Sequence, residues 1–205
     1  MPANLTTAVG RVPTHSIFAI ALLISLAVPV WSQDYNKGLA AFHAGDFDTA
    51  LNEWRQLAEQ GHARAQYELG SMYEYGRGVG QNDADAVKWY TKSASQGVAL
   101  AQYKLGVLYE NGWGVLKNET EAVKWYRNAA EQGYPFAQHD LAFMYAAGKG
   151  VAQDYVRAYM WLDIAVAQGN RLMIKHLKRV AKHLAPAQIV QAQQLAREWL
   201  NQQKR

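Results

Sequence analysis

The segment "AQYELGSMYEYGRGVGQNDADAVKWYTKSASQG", residues 65–97, decides the architecture because the chain repeats it. Residues 101–133 read "AQYKLGVLYENGWGVLKNETEAVKWYRNAAEQG", at an offset of 36 residues and without a gap. Residues 137–169, "AQHDLAFMYAAGKGVAQDYVRAYMWLDIAVAQG", are a third copy at the same offset. Self-similarity at a period of this length is typical of an array of stacked structural repeats.

Apolar residues recur at helical spacing in both halves of each copy. Ala65, Leu69 and Tyr73 lie at i, i+4 and i+8 in the first half, and Trp89 and Tyr90 belong to a similar stripe in the second half. An acidic residue near the start of the second helix suits its positive end, and a glycine after it suits a left-handed stop. The acidic residues are Asp83, Glu119 and Asp154, and the glycines are Gly97, Gly133 and Gly169.

A unit of two helices cannot bury its apolar stripe alone, so neighbouring units must stack. The sequence therefore predicts an all-α fold: a right-handed α-α superhelix, or solenoid, of stacked helix-turn-helix repeats. The third copy departs from the other two, because Ala142 replaces Gly106 and Leu162 stands where Tyr90 and Tyr126 stand.

The flanks of the array are irregular. Residues 33–62 form a looser unit with a shorter turn, with Gly38 and Trp54 at tetratricopeptide spacing. Residues 170–205 lose the period, and two further helices are expected there, over 171–183 and from Pro186 onward. These helices are predicted to cap the C-terminal end of the array.

The pattern Ala-x-x-x-Leu-Gly-x-x-Tyr-x-x-Gly-x-Gly-Val, followed by Ala-Val-Lys-Trp-Tyr, resembles Sel-one-like repeats. These are relatives of tetratricopeptide repeats with a longer, glycine-rich loop. The resemblance covers residues 63–169 as three repeats of 36 residues, with residues 33–62 as a tetratricopeptide-like first repeat. It implies a scaffold for protein–protein contacts in a bacterial periplasmic or secreted setting.

Residues 1–32 have the layout of a secretory signal peptide. The apolar run "IFAIALLISLAV", 17–28, follows a segment that contains Arg11 and no acidic residue, and Pro29 ends it. The run is shorter than the ~20 apolar residues that cross a bilayer. We expect export, with a cut after Ser32 or near Ala27. With no cysteine in the chain, packing rather than disulfides must hold an exported product together.

Charge is distributed unevenly along the chain. Residues 33–169 carry 12 basic and 16 acidic side chains, whereas residues 170–205 carry eight basic side chains and one acidic one, Glu198. A basic patch of this kind can contact an anionic surface or an acidic partner, or it can be a solvated helix face. Export disfavours nucleic acid as the partner. The patch consists of Arg171, Lys175, Lys178, Arg179 and Lys182.

No pattern in the sequence specifies a reaction, a metal or a cofactor. The glycine-rich loop "EYGRGVG", 74–80, follows a helix rather than a strand, lacks a Gly-Lys-Ser/Thr ending and occurs three times, which excludes a phosphate loop. No histidine pair has metal-ligand spacing, and His176 and His183 are expected on a solvated face. Ser71, Ser93 and Ser95 are interpreted as repeat surface, because other residue types stand at the equivalent positions of the next repeat, Val107, Ala129 and Glu131.

Repeat register predicts a partner-binding row on the first helix of each unit, which lines the concave face in tetratricopeptide-like arrays. Aromatic anchors dominate such contacts, although Tyr67 and Tyr103 can equally be packing residues. The candidate residues are Tyr35, Tyr67, Tyr103, His139, Val107, Phe143, Glu74 and Glu110.

The function expected from these features is an exported, non-catalytic scaffold or adaptor that binds a protein or peptide partner. The alternative is a hydrolase of cell-wall-like substrates, such as β-lactams or peptidoglycan, an activity attributed to cysteine-rich members of the family. This chain has no cysteine and no nucleophile–base pairing, which favours the scaffold.

Overall fold

The computed structural model describes residues 30–203, with side chains from Tyr35 onward. Ten α-helices follow one another in this part of the chain, and each helix of the array packs on the next. Their bounds are α1 Val30–His43, α2 Phe47–Glu59, α3 Ala63–Tyr75, α4 Asp83–Ser95, α5 Ala99–Asn111, α6 Glu119–Glu131, α7 Pro135–Ala147, α8 Tyr155–Ala167, α9 Ile174–Ala181 and α10 Pro186–Gln202, with a 3₁₀ turn Arg171–Met173 before α9. The predicted all-α solenoid with a helical C-terminal cap is confirmed.

The first helix of each full repeat ends on a glycine in the left-handed region. The backbone N–H of Gly112 (φ 77°) donates to the carbonyl of Leu108, and the other two repeats share this geometry. The second helix starts at a polar N-cap, Asn82, Asn118 or Asp154, whose side chain accepts from backbone N–H groups of the first turn. These caps satisfy donors that the helix itself leaves unpaired.

The second glycine of each loop is required by a backbone contact between repeats. A Cβ added at Gly114 (φ 67°) would lie 2.3 Å from the carbonyl carbon and oxygen of Asp83, the first residue of α4. A Cβ at Gly150 would meet Glu119 in the same way, at 2.2 Å. The loop of one repeat therefore rests on the helix start of the previous repeat, and only glycine fits there.

A small residue on the first helix faces a large ring on the second. A Cβ at Gly106 would lie 2.4 Å from the ring of Tyr126, and one at Gly70 would lie 2.8 Å from the ring of Tyr90. The third repeat carries Ala142 and Leu162 at these positions, both buried. The replacements of glycine by Ala142 and of tyrosine by Leu162 therefore compensate for each other, since the smaller Leu162 leaves room for the methyl group of Ala142.

Buried polar side chains also connect the repeats. Gln102 donates from Nε2 to the carbonyl of Ala94 (3.2 Å), and its Oε1 accepts from Gln132 (2.7 Å). Gln66 has the equivalent pair of contacts in the preceding repeat. Ser93 is fully buried and donates to the carbonyl of Ala63 (2.7 Å), so the interpretation of Ser93 as repeat surface is wrong.

The cap covers the last repeat with two helices. On α10, Ala192 and Ala196 are buried against α8, and Trp199 packs edge-to-face on Trp161 at 5.8 Å between ring centroids. On α9 a single residue, Val180, is buried. Pro186 stands at the first position of α10, as predicted.

The predicted signal peptide lies outside the described residues, apart from Val30–Ser32 at the start of α1, whose side chains are also not described. Within residues 30–203, no helix combines the length and the apolarity that crossing a membrane requires.

Candidate partner-binding groove

The predicted tyrosine row is half-buried and packs against the second helices. Tyr67 lies 5.6 Å from the ring of Tyr90, and Tyr103 lies 5.8 Å from the ring of Tyr126. Burial, with a contribution from Glu68, raises the pKa of Tyr67 to about 12. Both tyrosines thus belong partly to the packing of the repeat and present one edge to the surface.

The predicted carboxylates Glu74 and Glu110 already have internal partners. Tyr90 Oη donates to Glu74 (2.5 Å), and Tyr126 Oη donates to Glu110 (2.7 Å). Lys104 Nζ also lies 2.7 Å from Glu74. Burial, together with the neighbouring carboxylate, raises the pKa of both ring hydroxyls. Both carboxylates are therefore already hydrogen-bonded within the protein, and Glu74 is also paired with a cation.

At the N-terminal end, a cavity of about 420 Å³ is lined by Tyr35, Tyr67 and residues around them. Tyr35 Oη donates to Glu68 (2.9 Å). Burial is the main cause that raises the pKa of both groups, so Glu68 holds its proton more strongly than a free glutamate does.

The surface beside the first helix is different in the third repeat. Where Tyr126 and Glu110 pair in the second repeat, the third has Leu162 and Ala146, so the surface there is apolar. Phe143 is 43% exposed and lies at the centre of this groove. We call the surface lined by Tyr103, Val107, Glu110, His139, Asp140, Phe143, Ala146, Leu162, Arg179 and Val180 the third-repeat groove. A cavity of about 460 Å³ lies where this surface borders the second repeat and is also lined by Asn111 and Tyr126. A cavity of about 190 Å³ lies between Phe143, Ala146 and α9.

The groove ends at the cap, where two histidines meet. The rings of His139 and His176 are edge-to-face at 4.9 Å, and His139 Nδ1 lies 2.7 Å from Asp140 Oδ1. His176 is half-buried, so its expected solvated position is wrong. Burial lowers the pKa of His176, and the neighbouring His139, Arg179 and Lys175 lower it further. His183 is exposed, but its ring stacks on Tyr155 at 4.5 Å.

Four of the five predicted basic-patch residues lie on one face of α9 or at its C-terminal cap. Lys175, Lys178, Arg179 and Lys182 follow the i, i+3, i+4, i+7 spacing of a single helix face and line a cavity of about 350 Å³ together with His176. The fifth, Arg171, is exposed on the 3₁₀ turn and does not line this cavity.

A second row of surface residues was missed at the sequence level. Leu100 is 41%, Phe136 61% and Leu172 81% exposed, and the three are spaced 36 residues apart along the chain. Phe136 contacts the predicted row, since its ring lies 6.2 Å from that of Tyr103. The repeat register contained this signal, because apolar residues recur where the first repeat has Arg64.

No group of three or more His, Cys, Asp or Glu side chains suited to a metal ion occurs among residues 35–203.

Stacked two-helix repeats with a surface groove define a helical-repeat binding protein. The Sel1 repeat family model matches residues 63–98, 99–134 and 135–170, which is more than half of the chain. The chain belongs to the Sel1 repeat family, whose members are helical-repeat scaffolds for protein–protein interaction.

One curated protein and two solved structures are similar to this chain. An exopolysaccharide production negative regulator of Rhizobium meliloti (strain 1021) is 38% identical over 58 residues, 28% of this chain and 22% of that protein. The crystal structure of a Sel1 repeat protein from Oxalobacter formigenes is 34% identical, with a TM-score of 0.67 over 70% of this chain and 59% of that one. The crystal structure of a protective antigen present in uropathogenic Escherichia coli strains, displaying an SLR fold, is 30% identical. Its TM-score is 0.51, over 83% of this chain and 47% of that one. The chain therefore spans less than two thirds of each of these proteins.

Proposed function

We propose that this chain is an exported, non-catalytic adaptor that binds a segment of another protein along the third-repeat groove. The observation that carries the proposal is the exposure of Phe143 beside Ala146, Leu162 and Val180, in the one of the three 36-residue repeats where the Tyr–Glu pair is replaced. A large, partly exposed aromatic in a concave apolar site is the usual anchor of a protein interface. Phe136, 61% exposed beside Tyr103, extends this apolar surface toward the N-terminal ends of the first helices.

Site-specific photo-crosslinking tests the groove. A photoreactive amino acid at position 136 or 143 is expected to capture a defined protein in cells of the source organism. The same residue at position 190, on α10, is the control, because Val190 is also exposed (59%) but lies on the cap. Equal capture from all three positions would contradict the proposed groove.

Truncation then measures the contribution of the anchors. Phe143→Ala is expected to weaken the captured partner's affinity about tenfold or more, with little change in melting temperature because Phe143 is exposed. Tyr103→Ala is a poorer probe, since Tyr103 packs on Tyr126 and Tyr134.

An activity assay tests the alternative function. Hydrolysis of a β-lactam or of peptidoglycan by the purified protein, abolished by groove substitutions, would favour a hydrolase over an adaptor.

The export part of the proposal rests on the signal-like residues 1–32. Expression of the full chain with a C-terminal tag, followed by cell fractionation and intact-mass analysis, is expected to give a periplasmic or secreted product that begins near Gln33. An uncleaved product in the cytoplasm would overturn export while leaving the groove proposal standing.

A further inference from the structure

We infer that the segment bound in the third-repeat groove is acidic, with its carboxylates on the basic face of α9 and an apolar side chain beside Phe143. The inference rests on the proposed function, since it names the chemistry of the partner for that groove. A polypeptide is the occupant to which the geometry points.

The first support is the division of α9 into two faces. Leu177, Val180 and Ala181 face the last repeat, and Val180 is the buried contact. The cations occupy the opposite stripe, at 175, 178, 179 and 182. Like charges at i, i+3 and i, i+4 repel, which opposes the favourable position of Lys178 and Arg179 in the last turn of α9. Negative charge supplied by a partner would relieve this repulsion.

The second support is that the protein supplies no such negative charge. None of the four cations has a carboxylate oxygen within 4.0 Å among the described side chains. The nearby carboxylates are held by other partners, Glu110 by Tyr126 and Asp140 by His139. The cap end of the groove is therefore positive, and the carboxylates of Glu110 and Asp140 line the cavity to which no residue of α9 contributes.

The third support is continuity between the charged and apolar parts. Arg179 lines the cavity formed by the cations and also two of the three cavities that Phe143 lines. Lys149 Nζ lies 5.2 Å from the Phe143 ring and adds a further positive charge at this end. One extended peptide can thus place an apolar side chain beside Phe143 and carboxylates on α9 at the same time.

The form of the site favours a peptide over a membrane surface. The cations line an indentation together with the half-buried His176. Phe143, on the first helix of the third repeat, lines a cavity with Arg179 and Val180 of the cap. A peptide side chain can enter such an indentation, and a planar array of lipid headgroups contacts mainly its rim. Arg179 can also bind a carboxylate with two parallel hydrogen bonds.

The experiment uses the purified full-length protein and two labelled twelve-residue peptides. One peptide carries four Asp or Glu residues around a central Leu, and the other has Asn or Gln in place of the acids. Fluorescence anisotropy is expected to show at least tenfold tighter binding of the acidic peptide, with an affinity that falls as salt rises. Replacing its central Leu by Ser is expected to weaken binding as well.

Matched protein variants locate the site. Arg179→Gln is expected to weaken the acidic peptide about tenfold, and Arg179→Lys, which keeps the charge, by less. Arg171→Gln removes the same charge outside the cavity and is expected to change affinity less than about twofold. Melting curves of each variant show whether it is folded.

Four results would overturn the inference. The first is that the amide peptide binds as tightly as the acidic one, and the second is that Arg171→Gln and Arg179→Gln lose the same affinity for the acidic peptide. The third is that the acidic peptide does not bind. The fourth is that the protein binds phosphatidylglycerol vesicles and not the peptide. Capture at positions 136 and 143 of a partner with a neutral or basic segment would retain the proposed function and refute its acidic chemistry. Absence of capture refutes the proposed function itself.

Discussion

The pairing of a glycine on one helix with a tyrosine on the next gives the sharpest test of the packing. In Gly106→Ala, the new Cβ would lie 2.4 Å from two carbons of the Tyr126 ring, where carbon atoms prefer about 3.5–4.0 Å. The ring must therefore move by about 1 Å or more. Tyr126 is 1% exposed and its hydroxyl donates to Glu110, so it has little room to move.

The magnitude follows from three opposing effects. Overpacking costs about 1–3 kcal/mol, and weakening of the Tyr126–Glu110 hydrogen bond costs about 1 kcal/mol. Alanine is a better helix former than glycine by about 1 kcal/mol, which opposes both. We expect Gly106→Ala to lower the free energy of unfolding by about 1–3 kcal/mol.

Gly106→Ala should no longer lower the free energy of unfolding once the Tyr126 ring is removed. With Tyr126→Leu and Glu110→Ala, the second repeat acquires the Ala–Ala–Leu combination that the third repeat has at 142, 146 and 162. In that background Gly106→Ala should be neutral or stabilising by up to about 1 kcal/mol, because only helix propensity remains. The coupling between the sites should then be about 1–4 kcal/mol.

Urea unfolding followed by circular dichroism measures all four proteins of the cycle. The slope of free energy against urea must stay constant for the comparison to hold, since a changed slope means that the repeats no longer unfold together. Ala142→Gly is the control: it should cost about 1 kcal/mol and relieve nothing, because Leu162 leaves room for the methyl group. Full stability of Gly106→Ala beside Tyr126, or a coupling below about 0.5 kcal/mol, would refute the proposed pairing.

Two further predictions concern the loop and the cap. Gly114→Ala should destabilise the protein by about 2–4 kcal/mol, because it combines a positive φ with a Cβ only 2.3 Å from the backbone of Asp83. Gly80→Ala, with no heavy atom within 4 Å of the added Cβ and no positive φ, should change stability by less than about 0.5 kcal/mol, as urea unfolding can check. His176 should titrate by NMR below its ordinary pKa of 6.5, chiefly through burial, and Arg179→Gln should raise that midpoint. Because its folded pKa is lowered, His176 stabilises the fold above pH 6.5, and this contribution is lost as the pH falls through the folded pKa. A midpoint at or above 6.5 would contradict the environment described for the ring.

Much of the candidate site follows from repeat register. The offset of 36 residues placed Tyr67, Tyr103 and His139 in one row, and it also contained the row of Leu100, Phe136 and Leu172. Register states which residues share a face, but it does not state which of their polar groups are already paired. Glu74 and Glu110 therefore looked open in the sequence, although each accepts a hydrogen bond from a tyrosine of the second helix.

The cap shows the opposite case. The basic residues of 171–182 were visible in the sequence, but their relation to Phe143 was not. The residue pattern of the repeat is lost after Gly169, so the sequence identifies no full repeat there that would place α9 beside the groove. Their proximity arises because Val180 docks on the last repeat and turns Arg179 toward the third-repeat groove.

The repeat, its two helices, its glycine stops and its stacking all follow from local signals, because each is set by residues within one or two turns of the chain. The surface beside each first helix is determined differently. It depends on whether the residue at 90, 126 or 162 fills the space beside the first helix, and that contact joins residues 16 or more positions apart. Tertiary packing alone decided that the first two repeats satisfy their own carboxylates, and that the third leaves Phe143 exposed between the array and its cap.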